Sequence, residues 1–272
     1  MAVNRGIDLR TGAAFIRNEF FNATVYRTVF WLRLVYTFLM MYSVGYVWRA
    51  LYATGTGRMD WTLPQMITYA VMGVALESIM LPYYGPQSYI MEQVRKGTIE
   101  MDIMKPLDFQ FYMFAKNIGS LLVRLGLLVV PSLIVAYFMF GLQLPCTGIL
   151  LAFTLSLILA ILVSFLLNYM LGLLSMVTMN IRNIFWGYNA MLRFFSGQSV
   201  PLWLFPGSLE IISTMLPFRC IYSIPMSIYI DSYQGAALWG QLGRQALWCA
   251  ILFICSRLMT KRVLTKLMIQ GG

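Results

Sequence analysis

An all-α integral membrane fold is predicted, and three observations predict it. Hydrophobic residues make up 60% of the 272-residue chain and charged residues 11%, against about half and a quarter in soluble domains. Mean hydropathy is correspondingly high, at +0.72. The apolar runs are also continuous, as in Ile149–Leu167, whereas strands of a membrane barrel would alternate apolar and polar residues. In hydrocarbon every backbone group must be satisfied within its own segment, which a helix of about 20 apolar residues achieves. No stretch is polar enough to fold separately, so residues 1–272 read as a single transmembrane domain.

The elements follow in chain order. Residues 1–28 carry four arginines and no continuous apolar core, so no cleavable signal peptide is expected. Ala13, Ile16, Phe20 and Ala23 recur at three- and four-residue spacing, with Arg10, Arg17, Asn18, Asn22 and Arg27 at other positions, and this is read as an interfacial amphipathic helix. Six spans are expected: Val29–Leu51, Leu63–Tyr84, Ile118–Phe140, Gly148–Val177, Ile184–Val200 and Ala237–Leu258. The fourth and fifth are separated at Thr178–Asn183, the polar interruption of an apolar tract too long for one span.

Two connecting segments stand out. Between Leu81 and Pro106, at residues 85–108, Glu92, Arg95, Lys96, Glu100, Asp102 and Lys105 are interleaved with Ile90, Met91, Val94, Ile99, Met101, Ile103 and Met104. A short helix of that pattern has one wet face and one sticky one. Between Ser196 and Asp231, at residues 197–232, Pro201, Pro206, Pro217 and Pro225 punctuate an apolar run. Each proline removes a donor and blocks a continuous helix. The expectation is two short helices that dip into the outer leaflet and return with their ends buried against protein.

Charge sets the orientation. With the N-terminus inside, cytosolic segments hold 13 of the 20 lysines and arginines, among them Arg95, Lys96, Lys105 and Lys116. Both termini and the charged segment are therefore expected in the cytosol, in a multi-pass protein of the cell membrane. The net charge of +10 is accounted for by this bias and by anionic lipid headgroups. The basic residues are dispersed over four segments, so no nucleic-acid partner is expected. Glu77, Arg124 and Arg193 lie within apolar spans, where an unpaired ion costs about 3 kcal/mol or more. Glu77 is expected to pair with Arg124 or with Arg193, or one of these charges lines a path for substrate. Cys146 and Cys220 both fall on the outer side, which makes a disulfide conceivable.

Catalytic signatures are missing. The chain has no histidine and no GxxxxGK[ST], HExxH or GxSxG motif, and its aspartates form no paired cluster for magnesium. No catalytic, cofactor-binding or metal-binding residue is therefore assigned.

Two stretches carry a family resemblance. VRKGTIEMDIMKPLDFQFYMFAKNIG at Val94–Gly119 resembles a basic-x-G-x-[IL]-[ED]-x-x-[IL]-x-[KR]-P run, and SGQSVPLWLFP with LPFRCIYSIP at Ser196–Pro206 and Leu216–Pro225 resembles SG-x-x-x-P-L-x-x-F-P … LPF … P. Together with the order of elements, they resemble the membrane subunit of a type-2 ATP-binding-cassette (ABC) exporter. The resemblance implies two permease subunits, a homodimer or a related heterodimer, each docked on a cytosolic ATPase subunit that binds ATP and magnesium. It further implies that Glu92, Arg95, Lys96, Gly97, Thr98, Glu100 and Asp102 are the docking residues, with Gly97 turning the backbone and Lys105–Pro106 ending the segment. The expected activity is outward movement of an amphipathic substrate: a peptide, lipid-like antibiotic, drug or glycan-lipid. A secondary transporter or channel, or an intramembrane enzyme, are the alternatives; the former would want an internal repeat, and none is found.

Overall fold

The structure is a computed structural model and describes residue 17 and residues 27–54, 61–80, 85–178, 181–198 and 200–270. Most of the expected interfacial helix and residues 81–84 and 179–180 lie outside the described residues. Described residues are helical or irregular, with no strand among them. In order, they form α1 (Arg27–Ala53), α2 (Leu63–Met80), α3 (Pro86–Lys96), α4 (Ile99–Ile103), α5 (Phe109–Arg124), α6 (Val130–Phe140), α7 (Thr147–Ser175), α8 (Ile181–Phe195), α9 (Gly207–Met215), α10 (Ser223–Tyr229) and α11 (Gly235–Gln270).

Among the described residues, three helices are long and apolar enough to cross a membrane: α2, the α5–α6 rod (Phe109–Phe140) and α7. The count becomes four if Gly207–Met215 and Pro217–Tyr229, bent by 72° at the break between them, form one span. The α5–α6 rod is continuous through a π-helical turn at Leu125–Val129. That turn has a local cause, because Pro131 lacks an N–H and its ring would strike the carbonyl four residues back.

The α1 helix is 27 residues long, but Arg33, Arg49 and four tyrosines dilute its apolar character. Helix α8 has only 15 residues, about 22 Å of rise against a hydrocarbon core of about 30 Å. Sequence boundaries shift for a physical reason. The third span was expected from Ile118 and the sixth to end at Leu258, yet the helices run from Phe109 and to Gln270. Hydropathy registers only the greasy middle of a helix, whereas hydrogen bonding carries it into the polar zone. The fifth was expected to reach Val200, but its helix stops at Phe195, and the chain turns at Gly197 and Pro201.

The bundle has two chemically distinct ends. At one, the start of α5, the end of α7 and the second half of α11 converge. Gln110 Nε2 donates to Ser256 Oγ at 2.9 Å, and the hydroxyls of Tyr169 and Thr260 lie 2.9 Å apart. At the other, Trp61, Tyr69 and Trp203 cluster, with the two indoles 3.8 Å apart. Between the ends, Gln245 Nε2 donates to the Cys220 carbonyl at 2.8 Å and its Oε1 accepts from Ser156 at 2.9 Å. Every residue of α10 is buried. Cys146 and Cys220 are free thiols, the first exposed and the second buried.

Candidate functional site

The charged segment folds as a helical knuckle. Helix α3 begins on Pro86, whose fixed φ suits a first turn, and ends at Gly97 with φ +68°. The Thr98 N–H reaches the Gln93 carbonyl at 2.9 Å and the Gly97 N–H reaches Val94 at 3.1 Å. These paired bonds form a Schellman cap, and its left-handed position is one that residues with a Cβ rarely adopt. The chain then makes the single turn of α4 and leaves through Lys105 and Pro106.

Asp102 holds the knuckle in shape. It is buried, and its carboxylate accepts from Tyr89 at 2.8 Å, from Lys105 Nζ at 2.6 Å and from Tyr112 at 3.3 Å. Lys105 also donates to the Tyr112 hydroxyl at 2.9 Å, and the Lys116 ammonium lies 3.5 Å from the Tyr89 ring centre. One carboxylate thereby joins α3, α4, α5 and the exit turn. Burial raises the Tyr89 pKa, with the Asp102 hydrogen bond adding to it. For Lys105, burial pulls the pKa down, but the bonds to Asp102 and Tyr112 outweigh it and the net shift is upward.

Glu92, Arg95, Lys96, Gly97 and Glu100 remain exposed and Thr98 is half-buried. Beside them Met101 and Met104 are 72% and 82% exposed, so the surface mixes charge with pliable apolar side chains. Glu92 and Lys96 pair across one turn of α3, and the hydrogen bond from Lys96 lowers the Glu92 pKa. Asp102, grouped with the docking residues on sequence, instead faces inward, because the two tyrosines and Lys105 satisfy it better than water-facing neighbours would.

The knuckle sits directly on α7. A Cβ added at Gly172 would lie 2.7 Å from Ile90 Cδ1 and 3.1 Å from Gln87 Cα, so glycine lets α3 approach this closely and a larger residue would push the two helices apart. At the exit, Asp108 caps α5 by accepting from the Phe111 N–H at 3.1 Å. Its other oxygen accepts from Arg257 Nη1 of α11. These joints were not singled out on sequence. The only signal was an aspartate just before an apolar run in LDFQF, the mark of an N-cap; Gly172 looks like any glycine of a membrane helix.

The intramembrane charges separate into two places. Glu77 Oε1 accepts from Arg193 Nη2 at 3.0 Å, joining α2 to α8. Glu77 is 20% exposed and Arg193 57%, so the pair is tucked on one side and open on the other. It borders a cavity of about 220 Å³ whose wall includes Tyr36, Trp48, Tyr69 and Pro201. Arg124 is buried elsewhere, beside Asn117, Ser164 and Asn168 in a cavity of about 20 Å³, close to the start of α3. Among the described residues, no group of three or more His, Cys, Asp or Glu side chains could hold a metal ion.

The family model described as ABC-2 family transporter protein matches residues 38–271, a range that takes in the knuckle, its seat on α7 and the Glu77–Arg193 pair. Among curated proteins, none matches the chain.

Proposed function

Because this chain belongs to the ABC-2 transporter family, we propose that it is the six-span permease of an ATP-driven exporter, docked on a separate ATPase through the Pro86–Lys105 knuckle. Membership makes the chain a membrane component of an ABC transporter. One observation supports the docking role: an exposed patch of Glu92, Arg95, Lys96, Glu100, Met101 and Met104 stands on a base tied by the buried Asp102 carboxylate and packed against α7. A joint that transmits motion needs a tacky outer surface and a stiff base. Asp102 stiffens the base, and contact at Gly172 passes displacement into α7. ATP and magnesium are held by the partner. In this reading the termini are cytosolic, α1, α8 and α11 complete the six spans, and α9–α10 form the outer re-entrant element.

The path for substrate runs beside the Glu77–Arg193 pair. Helices α1 and α8 expose Trp31, Leu32, Val35, Trp186 and Met191, a face that a second permease subunit covers in this reading. The aromatic wall and half-open ion pair suit an amphipathic molecule, one part apolar and one part polar. Co-purification with the ATPase tests the docking: replacing Glu92–Glu100 by an alanine–serine sequence of equal length abolishes it, and retained binding refutes it. Exchanging Glu77→Arg with Arg193→Glu tests the path. Each single change stops export and the exchange restores it; failure of rescue means that the residues act on substrate individually, not as a pair.

A further inference from the structure

A second groove lies on the outside of the bundle, away from the ion pair. It measures about 330 Å³ and is walled by Phe111 and Phe114 of α5, Phe165 and Leu166 of α7 and Ala250 and Phe253 of α11. Its long axis is set by α11. Cys249 and Arg257 both line it, and eight residues of helix separate them by about 12 Å. Arg257 marks the end where α5 begins, since its Nη1 binds Asp108. The guanidinium is held at that mouth by the rings of Phe111 and Phe253, each 5.3 Å away. Gln110 lines the same end; it is 4% exposed, and its Oε1 accepts no hydrogen bond among the described residues.

A buried acceptor left unmatched costs about 1–3 kcal/mol, so a groove that keeps one is shaped for something that donates. The opposite length of the groove offers only apolar side chains. A ligand must therefore combine a hydrogen-bond donor, an anionic group for the guanidinium fork and a hydrocarbon tail. Asp108 neutralises Arg257 in part, while Lys261, exposed one turn further along α11, returns the mouth to net positive charge. We infer that this groove seats one phosphatidylglycerol-type phospholipid, its phosphate on Arg257, a headgroup hydroxyl on Gln110 and an acyl chain along Phe253 to Cys249. The choice of the cytosolic leaflet rests on the placement of the knuckle proposed above. Bound there, the lipid would steady the Asp108–Arg257 joint at the exit of the knuckle.

The test uses the full chain in detergent micelles, titrated with dioleoyl-phosphatidylglycerol, -phosphatidylethanolamine or -phosphatidylcholine and read as one-to-one adducts by native mass spectrometry. Phosphatidylglycerol is expected to bind at least about three-fold more tightly than phosphatidylcholine, whose headgroup has no donor, the size of a single hydrogen bond. Gln110→Leu removes that preference, Arg257→Gln weakens all three lipids by removing the contact to the phosphate they share, and Ala250→Phe, an exposed position on the groove wall, weakens all three as well. A preference below three-fold, or an Ala250→Phe protein that binds lipid like the parent, overturns the assignment. So does a second copy as occupant, seen as a dimer that Ala250→Phe dissociates while lipid adducts stay unchanged. Micelle binding is scored whether or not an ATPase docks, so failure of the groove and failure of the docking reading are separate results.

Discussion

At the knuckle end of the bundle, the buried Asp102 carboxylate gathers Tyr89, Tyr112 and Lys105, and the half-buried Asp108 ties α5 to α11. At the opposite end, Trp61, Tyr69 and Trp203 pack with tilted and edge-on rings, and the short α10 is wholly buried. The contrast is one of directionality. Charge-assisted hydrogen bonds hold their partners at fixed angles and shorten the list of allowed positions. Aromatic and aliphatic packing is non-directional and tolerates sliding at little cost. The first fixes one arrangement of its helices, whereas the second leaves room for small rearrangements.

The largest effect should come from breaking the directional end. Asp102→Ala strands two tyrosine hydroxyls and a lysine, and is expected to lower stability by about 3 kcal/mol, seen as a fall in melting temperature in micelles. ATPase co-purification should be lost with it. A variant that melts like the parent would show that the polar network is decoration. Next is Gly172→Leu, expected to cost about 2 kcal/mol by overpacking α3 against α7. Its distinctive readout is uncoupling, with ATPase still bound but export reduced.

Trp203→Ala addresses the other end. Loss of its contacts with Trp61 and Tyr69 should cost about 1–2 kcal/mol while leaving ATPase binding unchanged. Loss of ATPase binding here would dissolve the distinction between the ends.

The smallest effect is electrostatic and sharpens the difference within the knuckle. Glu92 has a lowered pKa, so the pair with Lys96 stabilises above the ordinary carboxylate pKa and is lost as pH falls through the folded value. Lys105 is raised above its ordinary 10.5, so its contribution is complete below that pH and disappears only as pH rises beyond it. Lys96→Gln should therefore change stability at neutral pH by no more than about 0.5 kcal/mol, and salt should remove the difference. Melting curves at two ionic strengths check this.

Much of this arrangement was legible in the sequence because composition and punctuation act locally. A charged stretch between apolar runs cannot stay in hydrocarbon, and Gly97 stands where a helix with a basic last turn stops. Four prolines in an apolar segment predict short helices, and short bent helices are present at Gly207–Met215 and Pro217–Tyr229. Glu77 needed a cation, yet the sequence left Arg124 and Arg193 equal, since hydropathy carries no information about which helices adjoin. Asp102 shows the same limit. Its spacing resembles that of Glu92 and Glu100, and only the positions of Tyr89 and Tyr112 turn it inward.

By itself, then, the sequence determined the solvent of the chain, the helical class and the break of the charged segment at Gly97. These follow from transfer free energies and motif chemistry, which depend on neighbours along the chain. Tertiary structure decided that Arg193 meets Glu77, that Asp102 is buried against Tyr89, Tyr112 and Lys105, and that the knuckle rests against α7 at Gly172. Those outcomes depend on which helix faces lie together. Such choices are made by packing over tens of residues of separation, which no local pattern encodes.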